Sequence, residues 1–322
     1  SEIKPGSKGV VIFSRSGDSP FFQALQFRLP LPTQLLMDSV PHIYEVVMLK
    51  DTYHRYVVLI STESFARIVE VSVGDVTADL WAESPELRKR VGREWSKDQY
   101  QNHQRDRTQR FIKEKIEILN RLFTREGHTH LVLAGNPRMV ARVRDALPRR
   151  LKDKLIDVVP VPGKASTVDV VSATLSAFAE HEQTESIETA GLLMDEVKTG
   201  GLAVIGTEAT LKALDQRQVD TLVLSESYNA AAGWKCTTCK RLGSRAYPMA
   251  CPRCGERTIV RIIIKEEMVR AAERFGATVE IVRNSDVLFD VGGVGCLLRY
   301  LTPEQHAEAS DRHHAIDETT AA

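Results

Sequence analysis

The chain has 322 residues, 43% of them hydrophobic and 27% charged, and its 43 Lys/Arg balance its 43 Asp/Glu. This is an ordinary globular composition, long enough for two or three domains, and zero net charge argues against a protein that coats nucleic acid without specificity. No run approaches the roughly 18 apolar residues of a membrane span, and the opening Ser-Glu-Ile-Lys-Pro-Gly has no secretory character, so a cytoplasmic protein with no membrane partner is expected.

Residues 1–50 read as a short β-rich unit. Val10-Val11-Ile12-Phe13 is one strand, Ser16-Gly17-Asp18-Ser19-Pro20 the turn, and Phe21, Leu25, Phe27 and Leu29 mark a second strand. Pro30, Pro32 and Pro41 break regular structure after it.

Residues 51–182 read as a second unit. Tyr56–Ile60 is a buried strand, and Ala66–Val73 and Val76–Trp81 follow after tight turns, so the three pair antiparallel. A charged loop from Ala82 to about Asp98 leads into a long helix in which Ile112, Ile116, Leu119 and Phe123 recur at helical spacing. A strand at Leu131–Ala134, a helix at Met139–Leu147, a strand at Asp157–Val161 and a helix from about Thr167 complete it. The order βββαβαβα is that of an RNase H-like sheet. Metal nucleases on such sheets need carboxylates inside the first strand; Tyr56–Ile60 has none, which excludes that chemistry.

Residues 183–301 read as an αβα sandwich. It comprises a helix at about Glu185–Lys198, a strand at Leu202–Gly206, a helix at Glu208–Leu214 and a strand at Val219–Leu224. After an interruption come a strand at Thr258–Ile264, a helix at Lys265–Phe275 and strands at Thr278–Val282 and Leu297–Tyr300. Residues 302–322 are small and polar, a flexible tail. The expected fold class is mixed α/β throughout.

The interruption, residues 233–257, carries two Cys-x-x-Cys knuckles, Cys236/Cys239 and Cys251/Cys254. Two such turns facing each other make a tetrahedral sulfur site of the kind zinc prefers, and four thiolates leave no open position for catalysis, so a structural zinc is expected. The alternative, two disulfides, needs an exported protein. Lys235, Lys240, Arg241 and Arg253 form a basic halo suited to RNA or protein contact. The fifth cysteine, Cys296, reads as a small buried hydrophobe.

From Ser84 to Lys115 ten Lys/Arg face five acids. Arg88, Lys89, Arg90, Arg93, Lys97 and Arg105 are interleaved with Trp95, Tyr100 and His103. Cations meet phosphates and aromatic rings stack on unpaired bases, the makeup of an RNA-binding loop. The other reading is a solvated helix face laced with ion pairs such as Asp106 with Arg110. A second basic run, Arg138 to Lys154, reads as an exposed helix, and Gly135-Asn136-Pro137 and Gly292-Gly293 as turns rather than phosphate-binding loops.

Three stretches in order carry a resemblance: Gly201–Leu214, Val219–Glu226, and Val279–Val282 with Gly292–Tyr300. They are similar to the C-terminal domain of the archaeal and eukaryotic class 1 peptide release factors and their paralogue Pelota, whose archaeal members carry a four-cysteine finger after the same strand. Residues 51–182 resemble that family's middle domain in element order. There the loop after the third strand bears a Gly-Gly-Gln that acts on peptidyl-tRNA. Here the loop has one glycine, Gly92, and no such tripeptide, and residues 1–50 are too few for a stop-codon reader. The losses resemble the divergent bacterial branch of the family, which includes a ribosome hibernation factor.

The resemblance implies a factor that occupies the ribosomal acceptor site, with ribosomal RNA near the peptidyl-transferase centre as partner. It would act without codon reading or hydrolysis, in hibernation or protection of stalled ribosomes, with a translational GTPase such as elongation factor Tu as a further partner and no role for DNA. One alternative is a rescue peptidyl-tRNA hydrolase using Gln99 or Gln101. Another is an adaptor for a structured RNA or a GTPase.

Overall fold

The computed structural model describes residues 3, 6–61, 66–72, 75–83, 97–125, 128–162, 165–230, 232–244, 247–283 and 286–302; side chains at 75, 79, 81–83, 97–108, 125 and 167 are outside that description. The chain forms two units: Ser1–Thr33 with Tyr53–His181, and Gln34–Thr52 with Glu182–Ala322. The segment 1–50 is therefore divided between them.

The first unit begins with a hairpin of β1 (Gly9–Arg15) and β2 (Phe21–Phe27), paired in register from Gly9 opposite Phe27 to Arg15 opposite Phe21. A helix, α1 (Tyr44–Thr52), belongs to the second unit. The first unit resumes with β3 (Tyr56–Ser61), β4 (Ala66–Ser72), β5 (Asp75–Glu83), α2 (Lys97–Arg125), β6 (Leu131–Gly135), α3 (Pro137–Ala146), α4 (Arg149–Lys152) and β7 (Leu155–Pro160). The sheet order is β5-β4-β3-β6-β7, antiparallel through β3 and parallel beyond it. This is the RNase H-like arrangement that the order of elements predicts.

Every residue of β3 is buried. Alternation sends Val57 and Leu59 to one face, among Ile68, Leu131, Leu133 and the apolar sides of α2 and α3. Tyr56, Val58 and Ile60 go to the other, against Val170, Val171 and Phe178. Each such side chain contributes roughly 1.5–3 kcal/mol by burial. The Tyr56 ring stacks on Phe178 at 4.4 Å between centroids, and its hydroxyl lies 3.1 Å from Thr174 Oγ1, so the polar end is not stranded.

Phe178 and Thr174 lie on α5 (Thr167–Lys198), one 32-residue helix where the sequence reading expects two. The polar run from Glu180 to Ser186 looks like a connection but contains neither Gly nor Pro, and its residues propagate a helix adequately. At the start, Ser166 Oγ accepts the Asp169 N–H at 3.2 Å while Asp169 accepts the Ser166 hydroxyl at 2.7 Å and the Ser166 N–H at 3.0 Å, and these two donors, the hydroxyl foremost, hold the exposed Asp169 carboxyl below its usual range.

The second unit continues with β8 (Ala203–Ile205), α6 (Thr207–Asp215), β9 (Val219–Ser225), β10 (Gly233–Cys236), β11 (Leu242–Gly243), β12 (Ile259–Ile262), α7 (Ile264–Arg274), β13 (Thr278–Val282), α8 (Asp286–Phe289) and β14 (Val294–Leu298). Its main sheet runs β13-β9-β14-β8. Leu222, Leu224, Val279 and Ile281 face α1, α6 and α7, and Val223 and Val282 face Leu193 of α5 and Leu288 of α8. That is the expected αβα sandwich, except that the strand expected within it at Thr258–Ile264 is β12, which pairs with β10 outside the main sheet because it closes the excursion that follows β9. Cys296 is fully buried within it, and burial pushes its thiol up to about 12.

Helix α1 is the element the sequence conceals. Its first N–H groups, from Ile43 and Tyr44, are capped at 2.9 and 3.2 Å by Glu266 on α7, more than 220 residues away. A local cap would show in sequence; this one does not. At its other end, Asp51 accepts the Ile281 N–H at 3.0 Å.

Gly135 and Asp51 put this packing to the test. Gly135 holds φ at +133°, and a Cβ there would sit 2.0 Å from the Ser61 carbonyl oxygen. Gly135→Ala should cost about 1–3 kcal/mol or more in urea denaturation; an unchanged midpoint would mean that β3 and β6 diverge at this end. At Asp51, burial first, then Glu280, push the carboxyl up to about 8 from an ordinary 3.8, against the pull of the Ile281 N–H, Arg283 and Lys50. The folded pKa is raised, so the contribution is complete below pH of about 4 and is lost as pH rises toward 8. The stability difference between Asp51→Asn and the parent should therefore move in the variant's favour from pH 5 to pH 8, whereas parallel profiles would show that Asp51 titrates normally.

Candidate metal centre

Strand β9 ends at Ser225, and the chain then leaves the sheet, forms a three-stranded sheet of order β11-β10-β12, and returns as α7. Antiparallel pairing of β10 with β12 sets Gly233 opposite Ile262 and Cys236 opposite Ile259, closing the excursion at its base. Both glycines of this base are dictated by packing. A Cβ on Gly243 would lie 2.5 Å from the Trp234 ring, and one on Gly233 would lie 2.6 Å from the Gly243 carbonyl oxygen and from Ile264.

The knuckles are built the same way twice. In the first, Cys236 donates its N–H to Arg241 O at 3.0 Å and accepts that of Lys240 at 3.1 Å. In the second, Cys251 donates to Glu256 O at 2.7 Å and accepts from Gly255 at 2.9 Å. The residue after each second cysteine is left-handed, Lys240 at φ 63° and Gly255 at 73°, which folds the turn back under its sulfurs.

The four sulfurs converge. Cys236 Sγ lies 3.6 Å from Cys254 Sγ, Cys239 Sγ lies 3.5 Å from Cys251 Sγ, and all four fall within 4.8 Å of one another. A tetrahedron with metal–sulfur bonds of about 2.3 Å has edges of about 3.8 Å, so the quartet fits a metal ion such as zinc without rearrangement. All four thiols are free of disulfides. Burial raises the Cys251 thiol, but the N–H groups of Arg253 and Cys254 and the adjoining thiols outweigh it and bring it down to about 6. Cys239 moves the other way: the Arg241 N–H lowers it, but burial and the hydrogen bonds with the other three thiols outweigh that and push it up to about 12.

A buried carboxylate ties this module to the sandwich. Glu267 on α7 is 5% exposed, and Lys235 on β10 reaches it at 2.7 Å while Arg270 pairs with its other oxygen. Arg270 also donates to the Pro41 carbonyl. On the outer side, Arg253 pairs with Asp215 at 3.0 Å.

The sequence-predicted RNA-binding residues lie elsewhere. Arg88, Lys89, Arg90, Arg93 and Trp95 fall outside the described residues, between edge strand β5 and α2. Lys97, Tyr100, His103 and Arg105 are in the opening turns of α2, with side chains outside the description. Gly135-Asn136-Pro137 is a helix start, since the Asn136 side chain accepts the N–H groups of Arg138 and Met139 at 3.0 and 3.4 Å. Those donors are occupied, so no anion nest forms there. Gly292 and Gly293 make the tight turn between α8 and β14, at φ 88° and 74°.

Residues 41–179 match bacterial archaeo-eukaryotic release factor family 10, and residues 184–302 match domain 3 of eRF1. The middle and C-terminal parts of the chain are thus each similar to a release-factor domain. Peptide chain release factor subunit 1 of Pyrococcus abyssi is 26% identical over 287 residues, covering 80% of this chain and 68% of the relative. The protein of that name from Thermococcus onnurineus is 26% identical over 290 residues, with the same coverage. Among solved structures, Archaeoglobus fulgidus Pelota is 15% identical with a TM-score of 0.38, over 76% of this chain and 64% of that one. A ribosome-bound archaeal Pelota is 14% identical with a TM-score of 0.48, over 90% and 77%. This release-factor-like chain thus spans just under two thirds of the Archaeoglobus Pelota. No helix among the described residues is long and apolar enough to cross a membrane.

The metal centre carries its own test. Purified protein should hold one zinc per chain by elemental analysis, and Cys251→Ser should lose it, with new protease cleavage confined to 233–262. Full metal content in the variant would remove Cys251 from the ligand set.

Proposed function

We propose that this chain is a ribosome-binding factor that occupies the acceptor site of idle or stalled ribosomes and neither reads stop codons nor hydrolyses peptidyl-tRNA. The observation that carries this reading is a pairing. The family match extends over the middle and C-terminal domains, yet the loop between β5 and α2 has one glycine and no Gly-Gly-Gln. In its place stand Arg88, Lys89, Arg90, Arg93 and Trp95, a set suited to phosphates and unpaired bases of ribosomal RNA. Lys97, Tyr100, His103 and Arg105 extend that set into α2.

On this reading the loop lies near the peptidyl-transferase centre as a plug rather than a catalyst. The role parallels that of the branch's hibernation factor Balon. Zinc in the Cys236, Cys239, Cys251 and Cys254 quartet is structural, the compartment is the cytoplasm, and a translational GTPase such as elongation factor Tu is the delivery partner.

Gln99 and Gln101 lie in the opening turns of α2, directly after the loop, and this favours a second reading. A reshaped loop would then position water against the ester bond of peptidyl-tRNA, making the chain a rescue hydrolase. Peptide release abolished by Gln99→Ala or Gln101→Ala would establish that activity.

Replacing Arg88, Lys89, Arg90 and Trp95 together by Ala should abolish pelleting with ribosomes while the thermal midpoint holds. Unchanged pelleting would remove the loop from the account.

A further inference from the structure

The four-cysteine module is far more basic than the chain that carries it. Between Gly233 and Ile262 stand seven Lys/Arg and one acid, Glu256, in a protein whose charges otherwise balance. Two of the cations are spent on structure, Lys235 on Glu267 and Arg253 on Asp215. Arg245 lies outside the described residues. Lys240, Arg241, Arg257 and Arg261 have no acidic partner among the described residues, and Lys240, Arg257 and Arg261 are exposed. Lys240 is held by a bond from its Nζ to the Thr237 carbonyl, which orients the ammonium but leaves its charge uncompensated.

Lys240 and Arg261 also line a cavity of about 230 Å³ between the base of the module, α7 and the segment from Asp38 to His42. The acids in its wall are already engaged: Glu267 holds Lys235 and Arg270, Glu266 caps α1 and faces His42 at 3.3 Å, and Asp38 faces the same His42 at 3.5 Å. The wall carries four cations, Lys235, Lys240, Arg261 and Arg270, against these three acids, a surplus of one positive charge. The space is smaller than the 300–1,000 Å³ or so usual for a small-molecule pocket, and its walls are charged rather than apolar. It suits one anionic group of a larger ligand. Nearby, Tyr247 is 56% exposed, with its hydroxyl fixed on the Ile259 carbonyl. An exposed ring held in place is a platform for an unpaired base.

We propose that the four-cysteine module is an RNA-docking surface, in which Lys240, Arg257 and Arg261 bind backbone phosphates and Tyr247 stacks on a base. An acidic protein is the other class that cations attract. Protein interfaces, however, gather charge at the rim and an apolar patch at the centre. The module exposes Tyr247, Met249 and Val260 as large apolar side chains, fewer than its uncompensated cations, and this favours nucleic acid. The residues of this surface are separate in sequence from those at 84–96, and the surface needs the metal only to hold its shape.

The test is a titration of the full-length protein with a short fluorescein-labelled RNA hairpin at several salt concentrations. Lys240→Ala/Arg257→Ala/Arg261→Ala should keep its zinc and its thermal midpoint. Its plot of log affinity against log salt should be shallower by about three. Tyr247→Ala should weaken binding with the slope unchanged. Because the probe is a free hairpin, the result stands whether or not the chain binds ribosomes. An unaltered slope and affinity in the triple variant would overturn the proposal. So would poly-glutamate binding more tightly than the hairpin and losing that advantage in the triple variant, since the surface would then belong to an acidic protein.

Discussion

A buried carboxylate, Glu267, is the point on which the second unit turns. Charges of opposite sign reach it from Lys235 on the four-cysteine module and from Arg270 on its own helix. Arg270 passes the connection on to Pro41, just before α1. One side chain thereby fixes three pieces distant in sequence: the module, the α7 face of the sandwich and the segment that leads into α1. Removing one partner from such a pair leaves a buried charge uncompensated, at a cost of about 3–5 kcal/mol. The neighbouring Glu266 acts in the same sense by capping α1. The cysteine quartet lies at the tip of the module, Glu267 holds its base against the sheet domain, and Glu266 holds α1 there.

The same division between scaffold and reach is present in the first unit. Strand β3 is buried on both faces and fixes the order β5-β4-β3-β6-β7. That order leaves β5 at the edge of the sheet. Between β5 and α2 the sequence carries Arg88, Lys89, Arg90, Arg93 and Trp95 and no Gly-Gly-Gln.

Much of this was legible in the residues. The apolar runs at Tyr56–Ile60 and Leu131–Ala134 are strands because both of their faces are covered, and the Cys-x-x-Cys spacing foretold a quartet of converging sulfurs. What escaped was decided at long range. Helix α1 has its cap on α7, so nothing local announces it. The continuity of α5 through Glu180–Ser186 was hidden because a polar run in a helix looks like a connection. At the module, Arg257 and Arg261 lie beyond the second knuckle, and their signal was the charge count carried through to Ile262 rather than any motif. The weight of Glu267 shows only once Lys235 is seen to reach it.

The central claim is a factor that binds ribosomes without cutting peptidyl-tRNA, and one measurement bears on both halves. Purified protein is sedimented with vacant ribosomes and, in parallel, with ribosomes carrying labelled peptidyl-tRNA, and bound protein and released peptide are scored together. The account predicts binding in both samples and no release above the spontaneous rate. Release that depends on added protein would contradict it and make the chain a rescue hydrolase, and absence from both pellets would leave the family's fold serving a different partner.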